Sequence, residues 1–241
     1  MRLVIFDLDG TLLTGDTDEY WLRFLIERGV VGHGESERRN QDIQSRYAQG
    51  LASAEEFCFF YLDLLRGHPR SELDRLHAEF MHDVIIPHLP KAALDLLDAA
   101  RTRAELLLLS TATNAFLTVP IAAHLNIPHL IATVPEEGAD GRFTGGCVGL
   151  PNMRAHKVTR LEAWLAARGQ QLADFAETWF YSDSRNDLPL LSRVSHPVAV
   201  DPDPELAAHA LAGGWPILRI HPASAAAAPQ PPAANTNSAR R

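Results

Sequence analysis

Near its start the chain runs Leu3-Val4-Ile5-Phe6 and passes straight into Asp7-Leu8-Asp9-Gly10-Thr11-Leu12. A short apolar run with no polar break reads as a strand buried on both faces, the habit of parallel sheets. Alternate residues of an extended chain point to the same side, so Asp7 and Asp9 leave the strand end together. Two carboxylates that close cost free energy unless a cation or a shared proton relieves them. The plain alternative is that Asp7 merely ends the strand and Asp9-Gly10 is a turn. A buried strand has no structural use for either charge.

The remainder of the chain divides by pattern. Between Asp16 and about Ile86, Asp16 with Glu19 and Ser53 with Glu56 have capping-box spacing, and Ser71 with Asp74 resembles one. The runs that follow, 20–27, 57–65 and 73–80, carry apolar residues at helical spacing, and a polar helix is expected over 37–49. After Pro87 strands and helices alternate. Helices are expected over 91–101, from Asn114 to His124 with a break at Pro120, over 155–167 and over 204–211. Strands are expected at 106–109, 130–134, 178–181, 197–200 and 217–220, with a hairpin around Asp140-Gly141. The fold class is therefore α/β, a three-layer doubly wound parallel sheet with an inserted helical segment. The expected division is a core of 1–15 plus 87–221, a helical insert of 16–86, and an Ala- and Pro-rich tail of 222–241.

Composition excludes several partners. The net charge of −8 disfavours nucleic acid, which selects a basic face. No apolar run approaches the roughly 20 residues of a membrane span, and the start lacks the basic-then-apolar order of a signal peptide. Two cysteines, Cys58 and Cys147, make no disulfide framework, so a cytoplasmic setting is expected. The eleven histidines are scattered, and His77 and His82, five apart, are expected on the surface rather than on a metal.

Three polar clusters follow buried strands directly: Asp7 with Asp9, Ser110-Thr111-Ala112, and Asp183 with Asp187. In an open parallel sheet the carboxyl ends of the strands form the ligand crevice. Lys157, on the helix before the fourth strand, is within reach of it. Converging acids imply a hard divalent cation, and an octahedral oxygen shell with bound waters suits Mg2+. Such a metal with a hydroxyl, a lysine and free backbone amides binds phosphate.

In order along the chain, Asp7-Leu8-Asp9-Gly10-Thr11, Thr111, Lys157, and Asp183 with Asp187 resemble the four motifs of the haloacid dehalogenase superfamily. The resemblance covers residues 1 to about 220 and is nearest to the phosphoserine-phosphatase-like branch, because the helical insert, a cap of the first type, falls between the first two motifs. It implies an aspartyl-phosphate mechanism with Asp7 as nucleophile and Asp9 as general acid and base. It implies Mg2+ held by Asp7, the Asp9 carbonyl and Asp183, with Asp187 acting through water or by orienting a ligand. Thr111 and Lys157 would hold phosphate oxygens, with Gly10, Thr11, Ser110, Ala112 and Asn186 around the phosphate. Ser182 stands where the family usually has glycine, and either Ser110 or Thr111 could supply the second motif, Thr111 being preferred by register.

Asp9 favours phosphate esters over halides, since an alkoxide needs a proton and a halide does not. Substrate choice rests on the insert. Asp16 lies where phosphoserine phosphatases place an acid against the substrate amine, and it also reads as a plain helix cap. Those enzymes use a cap arginine for the serine carboxylate; residues 53–65 contain none and hold Phe57, Phe59, Phe60 and Tyr61, expected mostly as core. The expected partner is thus a small phosphate monoester with an amine and no carboxylate, histidinol phosphate being one. The alternatives are a phosphoserine phosphatase and a phosphate-binding sensor without turnover.

Overall fold

The structure, a computed structural model, describes residues 1–221; the expected tail of 222–241 lies outside the described residues. The first strand, β1 (Arg2–Phe6), is followed by four helices: α1 (Thr17–Glu27), α2 (His33–Ala48), α3 (Ala54–Asp63) and α4 (Arg70–Phe80). A wide π turn (Met81–Ile85) and a 3-10 turn (Ile86–His88) lead back to α5 (Lys91–Arg101) and β2 (Leu106–Asn114). Then come α6 (Ala115–His124), β3 (His129–Thr133), the antiparallel pair β4 (Pro135–Glu137) and β5 (Phe143–Cys147), and α7 (Ala155–Ala166). β6 (Glu177–Ser182), α8 (Leu188–Leu191), β7 (His196–Val200), α9 (Pro204–Gly213) and β8 (Ile217–Leu218) complete the described chain.

Six strands form one sheet in the order β3-β2-β1-β6-β7-β8, and every pair in it is parallel. This is the three-layer α/β arrangement expected. Alternation along β1 decides both cores. Leu3 and Ile5 join Phe180, Ala199 and the apolar faces of α7, α8 and α9. Val4 and Phe6 join Leu107, Leu109, α5, α6 and the inserted helices, whose Trp21, Phe24 and Phe80 interlock with ring centroids 5.0–5.7 Å apart. Each of these side chains is fully enclosed, a burial that contributes about 1.5–3 kcal/mol apiece.

Local signals met different fates. The capping box at Ser53 and Glu56 forms in both directions, and Asp16 caps α1 by accepting from the Glu19 amide at 2.9 Å. The spacing of Ser71 and Asp74 misleads: α4 starts at Arg70 after Pro69, and Asp74 accepts from Arg70 Nε at 3.0 Å instead. Pro120 does not break α6, because Asn114 caps the helix and the proline costs one internal bond in an otherwise buried element. β2 runs on to Asn114, so the second cluster lies within the strand rather than after it. His77 is buried, against expectation, with Nε2 donating to the Leu117 carbonyl at 3.1 Å between α4 and α6; His82 is exposed as expected. The last strand is only Ile217–Leu218. Among the described residues no helix is long and apolar enough to cross a membrane.

Candidate active site

The carboxyl ends of β1, β2 and β6 are neighbours in the sheet, and their polar clusters meet there. Asp7 continues β1 by one rung, its amide donating to the Tyr181 carbonyl at 2.9 Å, and the residue is only 8% exposed. The chain then folds back sharply, with the amides of Leu12 and Leu13 both donating to the Leu8 carbonyl. Gly10 has φ +70, and a Cβ there would overlap the Asp183 carboxylate, so this turn requires glycine on two counts. Thr11 Oγ1 donates to Asp183 Oδ1 at 3.1 Å and ties the first cluster to the fourth.

Lys157 occupies the floor. It lies in the first turn of α7, is 2% exposed, and its Nζ sits 3.0 Å from Asp7 Oδ1 and 2.8 Å from Asp187 Oδ2. Burial works against this ammonium, and Asp187 and Asp7 together outweigh it, holding the group above the ordinary lysine range. Ser182 Oγ donates to the same Asp187 oxygen at 2.7 Å, so a hydroxyl at this position adds a bond that glycine cannot make. The Ser182 backbone is not left-handed, which removes the need for glycine there.

The second cluster sorts by alternation. Thr111 faces the cavity, its Oγ1 accepting from the Thr113 amide at 3.2 Å. Ser110 points away and accepts from Asn152 Nδ2 at 3.1 Å. Thr113, which the sequence reading passed over, donates its hydroxyl to Asp9 Oδ2 at 2.6 Å. The other Asp9 oxygen accepts from the Thr17 amide at 2.7 Å and from the Thr17 hydroxyl. Thr113 could have been found by counting two residues from Thr111 along a strand; Thr17 and Asn152 carry no sequence signal of their own.

Every expected site residue except Thr11 and Ser110 lines one cavity of about 390 Å³. Asp18, Tyr47, Phe57, Met153 and Arg154 line it as well. Arg154 has φ +48, a strained conformation for a residue with a Cβ. The electrostatics are lopsided. Burial raises Asp7 well above the ordinary aspartate range, Lys157 offsets part of this, and Asp187, Asp183 and Asp9 add to it. Burial, with Asp187 adding to it, pushes Asp183 up to about 7. Asp9 is raised by burial against the pull of the Thr113 and Thr17 hydrogen bonds. One buried lysine therefore faces four carboxylates, a set that a divalent cation would balance. Among the described residues no three acidic, histidine or cysteine side chains converge tightly enough to hold an ion alone. A main-chain carbonyl and waters would have to complete the shell, which suits Mg2+.

The sequence profile of the haloacid dehalogenase-like hydrolases matches residues 4–192. The chain is 41% identical over 219 residues to a histidinol-phosphatase of Neisseria meningitidis serogroup C (strain 8013), covering 91% of this chain and 99% of that one. A crystal structure of a protein with unknown function from Bordetella pertussis Tohama I superposes with a TM-score of 0.87 at 46% identity, covering 91% and 99% of the two chains. A substrate-bound phosphoserine phosphatase complex, 19% identical, shares the fold with a TM-score of 0.65 over 90% of this chain and 93% of that one. The chain belongs to the haloacid dehalogenase-like hydrolases. Within that family it is a phosphatase, and its likeness to the phosphoserine phosphatase complex is one of fold.

Proposed function

We propose that this enzyme is a Mg2+-dependent phosphomonoesterase that hydrolyses a small phosphorylated amino alcohol, histidinol phosphate in particular, through phosphorylated Asp7. In this reading residues 16–86 form a cap over a core of 1–15 and 87–221. The carrying observation is the junction at Lys157 Nζ, which holds Asp7 Oδ1 at 3.0 Å while being held itself by Asp187. Among the described residues the second Asp7 oxygen makes no hydrogen bond or ion pair, and Asp7 lines the cavity.

The free Asp7 oxygen attacks phosphorus, and the ester P–O bond breaks. Asp9, in its acid form, gives the departing alkoxide its proton. Water then attacks the phosphorylated Asp7 and gives a proton to the Asp9 carboxylate, releasing inorganic phosphate and restoring both side chains. The surroundings of Asp9 support both of its states, because the Thr17 and Thr113 hydroxyls can donate to a carboxylate or accept from a carboxylic acid. Thr111 and Lys157 steady the non-bridging oxygens, with Ser182 and Asp187 aiming the lysine. The Asp7 and Asp183 carboxylates and the Asp9 carbonyl would hold magnesium, with Asp187 close behind. When bound, the ion supplies positive charge opposite the phosphate and the acid cluster.

The histidinol-phosphatase relative supports the substrate, as does an outer cavity wall carrying Asp16 and Asp18. In the presence of magnesium the purified protein should release phosphate from histidinol phosphate, stop on chelation and recover when magnesium is restored. Phosphoserine, whose carboxylate would face those acids, should show kcat/KM at least about tenfold lower. Phosphoserine as the better substrate would overturn the assignment, and turnover indifferent to chelation would overturn the metal.

A further inference from the structure

Chemistry at phosphorus uses the cavity floor and Asp9. The outer wall does something else. Asp16 and Asp18 from the start of α1, Tyr47 from α2 and Phe57 from α3 line the same cavity as Met153 and Arg154. Asp18 is poorly satisfied: its one side-chain hydrogen bond among the described residues is from Asn114 Nδ2, at a long 3.4 Å. No ion pair reaches it among the described residues. Both cations of the cavity are engaged elsewhere. Lys157 lies between Asp7 and Asp187, and Arg154 lies over the Tyr47 ring, 4.7 Å from its centroid, with Nε donating to the Tyr47 hydroxyl at 3.0 Å.

Phe57 belongs to the same wall rather than to the core alone. It stacks on Tyr47 at 4.4 Å and meets Tyr61 edge-on at 5.3 Å. Tyr61 is itself anchored, its hydroxyl donating to Asn40 at 2.8 Å. A small adjoining recess, lined in part by Asp18, Phe57, Ala112 and Met153, continues the cavity in their direction. A leaving group that points away from Lys157 therefore meets a carboxylate lacking a cation and an aromatic face held rigidly from behind.

We propose that Asp18 and Phe57 select the alcohol, Asp18 taking a protonated nitrogen and Phe57 lying against a flat ring. The preferred substrates are then phosphate monoesters of alcohols that carry both. This rests on the phosphatase reading above and extends it from the phosphoryl end of the substrate to the alcohol end. A charge-assisted hydrogen bond in a partly dehydrated cavity is a strong contact, and an aromatic face adds dispersion and stacking without needing a partner charge.

The test compares three esters with magnesium present: histidinol phosphate (ring and ammonium), phosphoethanolamine (ammonium alone) and p-nitrophenyl phosphate (uncharged ring). Asp18→Asn removes the charge while keeping the shape and an acceptor for Asn114. It should lower the ratio of kcat/KM for histidinol phosphate over p-nitrophenyl phosphate by on the order of 10- to 100-fold. Phe57→Leu should lower the ratio for histidinol phosphate over phosphoethanolamine by on the order of tenfold. Histidinol itself, titrated calorimetrically, should bind the wild type and lose affinity in Asp18→Asn by a similar factor. Melting curves establish that each variant is folded. Ratios unchanged to within about twofold in both variants would overturn the inference. A wild type that turns over p-nitrophenyl phosphate and ignores both cationic esters would overturn it too, while leaving the phosphatase intact. Failure to release phosphate from any of the three would overturn the reading of the site itself, and this inference with it.

Discussion

On the cavity floor every charged group faces a partner. Lys157 touches Asp7 and Asp187, Ser182 touches Asp187, and Thr11 touches Asp183. On the outer wall Asp16 and Asp18 lie close together, and among the described residues no cation pairs with either. Burial and then Asp9 push Asp16 up to about 8, and burial together with Asp16 and Asp9 raises Asp18 well above the ordinary range. The floor rests on β1, β6 and α7, rigid elements of the sheet and its cover. The wall rests on helices inserted between β1 and β2. The contrast teaches that the floor groups satisfy one another, while Asp18 on the wall, in the reading proposed above, is left to a ligand.

The largest expected effect breaks the floor at its centre. Asp7→Asn should fold normally, lose turnover by at least on the order of 10⁴-fold, and fail to form the beryllofluoride adduct that traps a phosphorylated aspartate. Retained turnover would remove Asp7 from its role. Lys157→Met comes next, since it leaves Asp7 and Asp187 buried without their partner. Urea unfolding without magnesium should show a loss of about 3–5 kcal/mol, and turnover should fall on the order of 100- to 1000-fold. Unchanged stability would show that the floor does not depend on that ion pair.

The wall should answer in the opposite sense. A carboxyl whose folded pKa is raised contributes stability at acid pH and loses it as pH rises through the folded value, so by neutral pH the burial of Asp18 opposes the fold. Asp18→Asn should therefore melt about 2–4 °C higher than wild type while its substrate selectivity declines. A lower melting temperature would erase the distinction between floor and wall. The smallest effect lies where the inserted helices meet α6. Burial lowers His77 below the ordinary value of 6.5, so its neutral ring favours the folded state above that pH and the contribution is lost as pH falls. Between about pH 7 and 5 the melting temperature of wild type should fall more steeply than that of His77→Gln. Parallel curves would show that His77 does not titrate on unfolding.

How far the sequence could be read depended on the range of the interaction involved. Asp7 and Asp9 stood out because a buried apolar run ends on two charges, an anomaly visible within ten residues. The capping box at Ser53 was legible for the same reason, being closed by side chains three residues apart. Ser71 with Asp74 had the spacing and lost to Pro69 and Arg70, which start the helix earlier. His77 was misread because its burial depends on α6, about forty residues further on. Phe57 was assigned to the core by composition, and only its place beside Asp18 shows that it faces the cavity.

What the sequence determined alone was which polar side chains follow the buried strands and how strand and helix alternate, because periodicity and charge anomalies are local properties. Tertiary structure decided which hydroxyl of Ser110 and Thr111 faces the cavity, that Thr113 and Thr17 grip Asp9, and that among the described residues no cation pairs with Asp18. Each of those depends on the distance between side chains from separate elements, a quantity set by sheet order and helix packing rather than by neighbours in the chain.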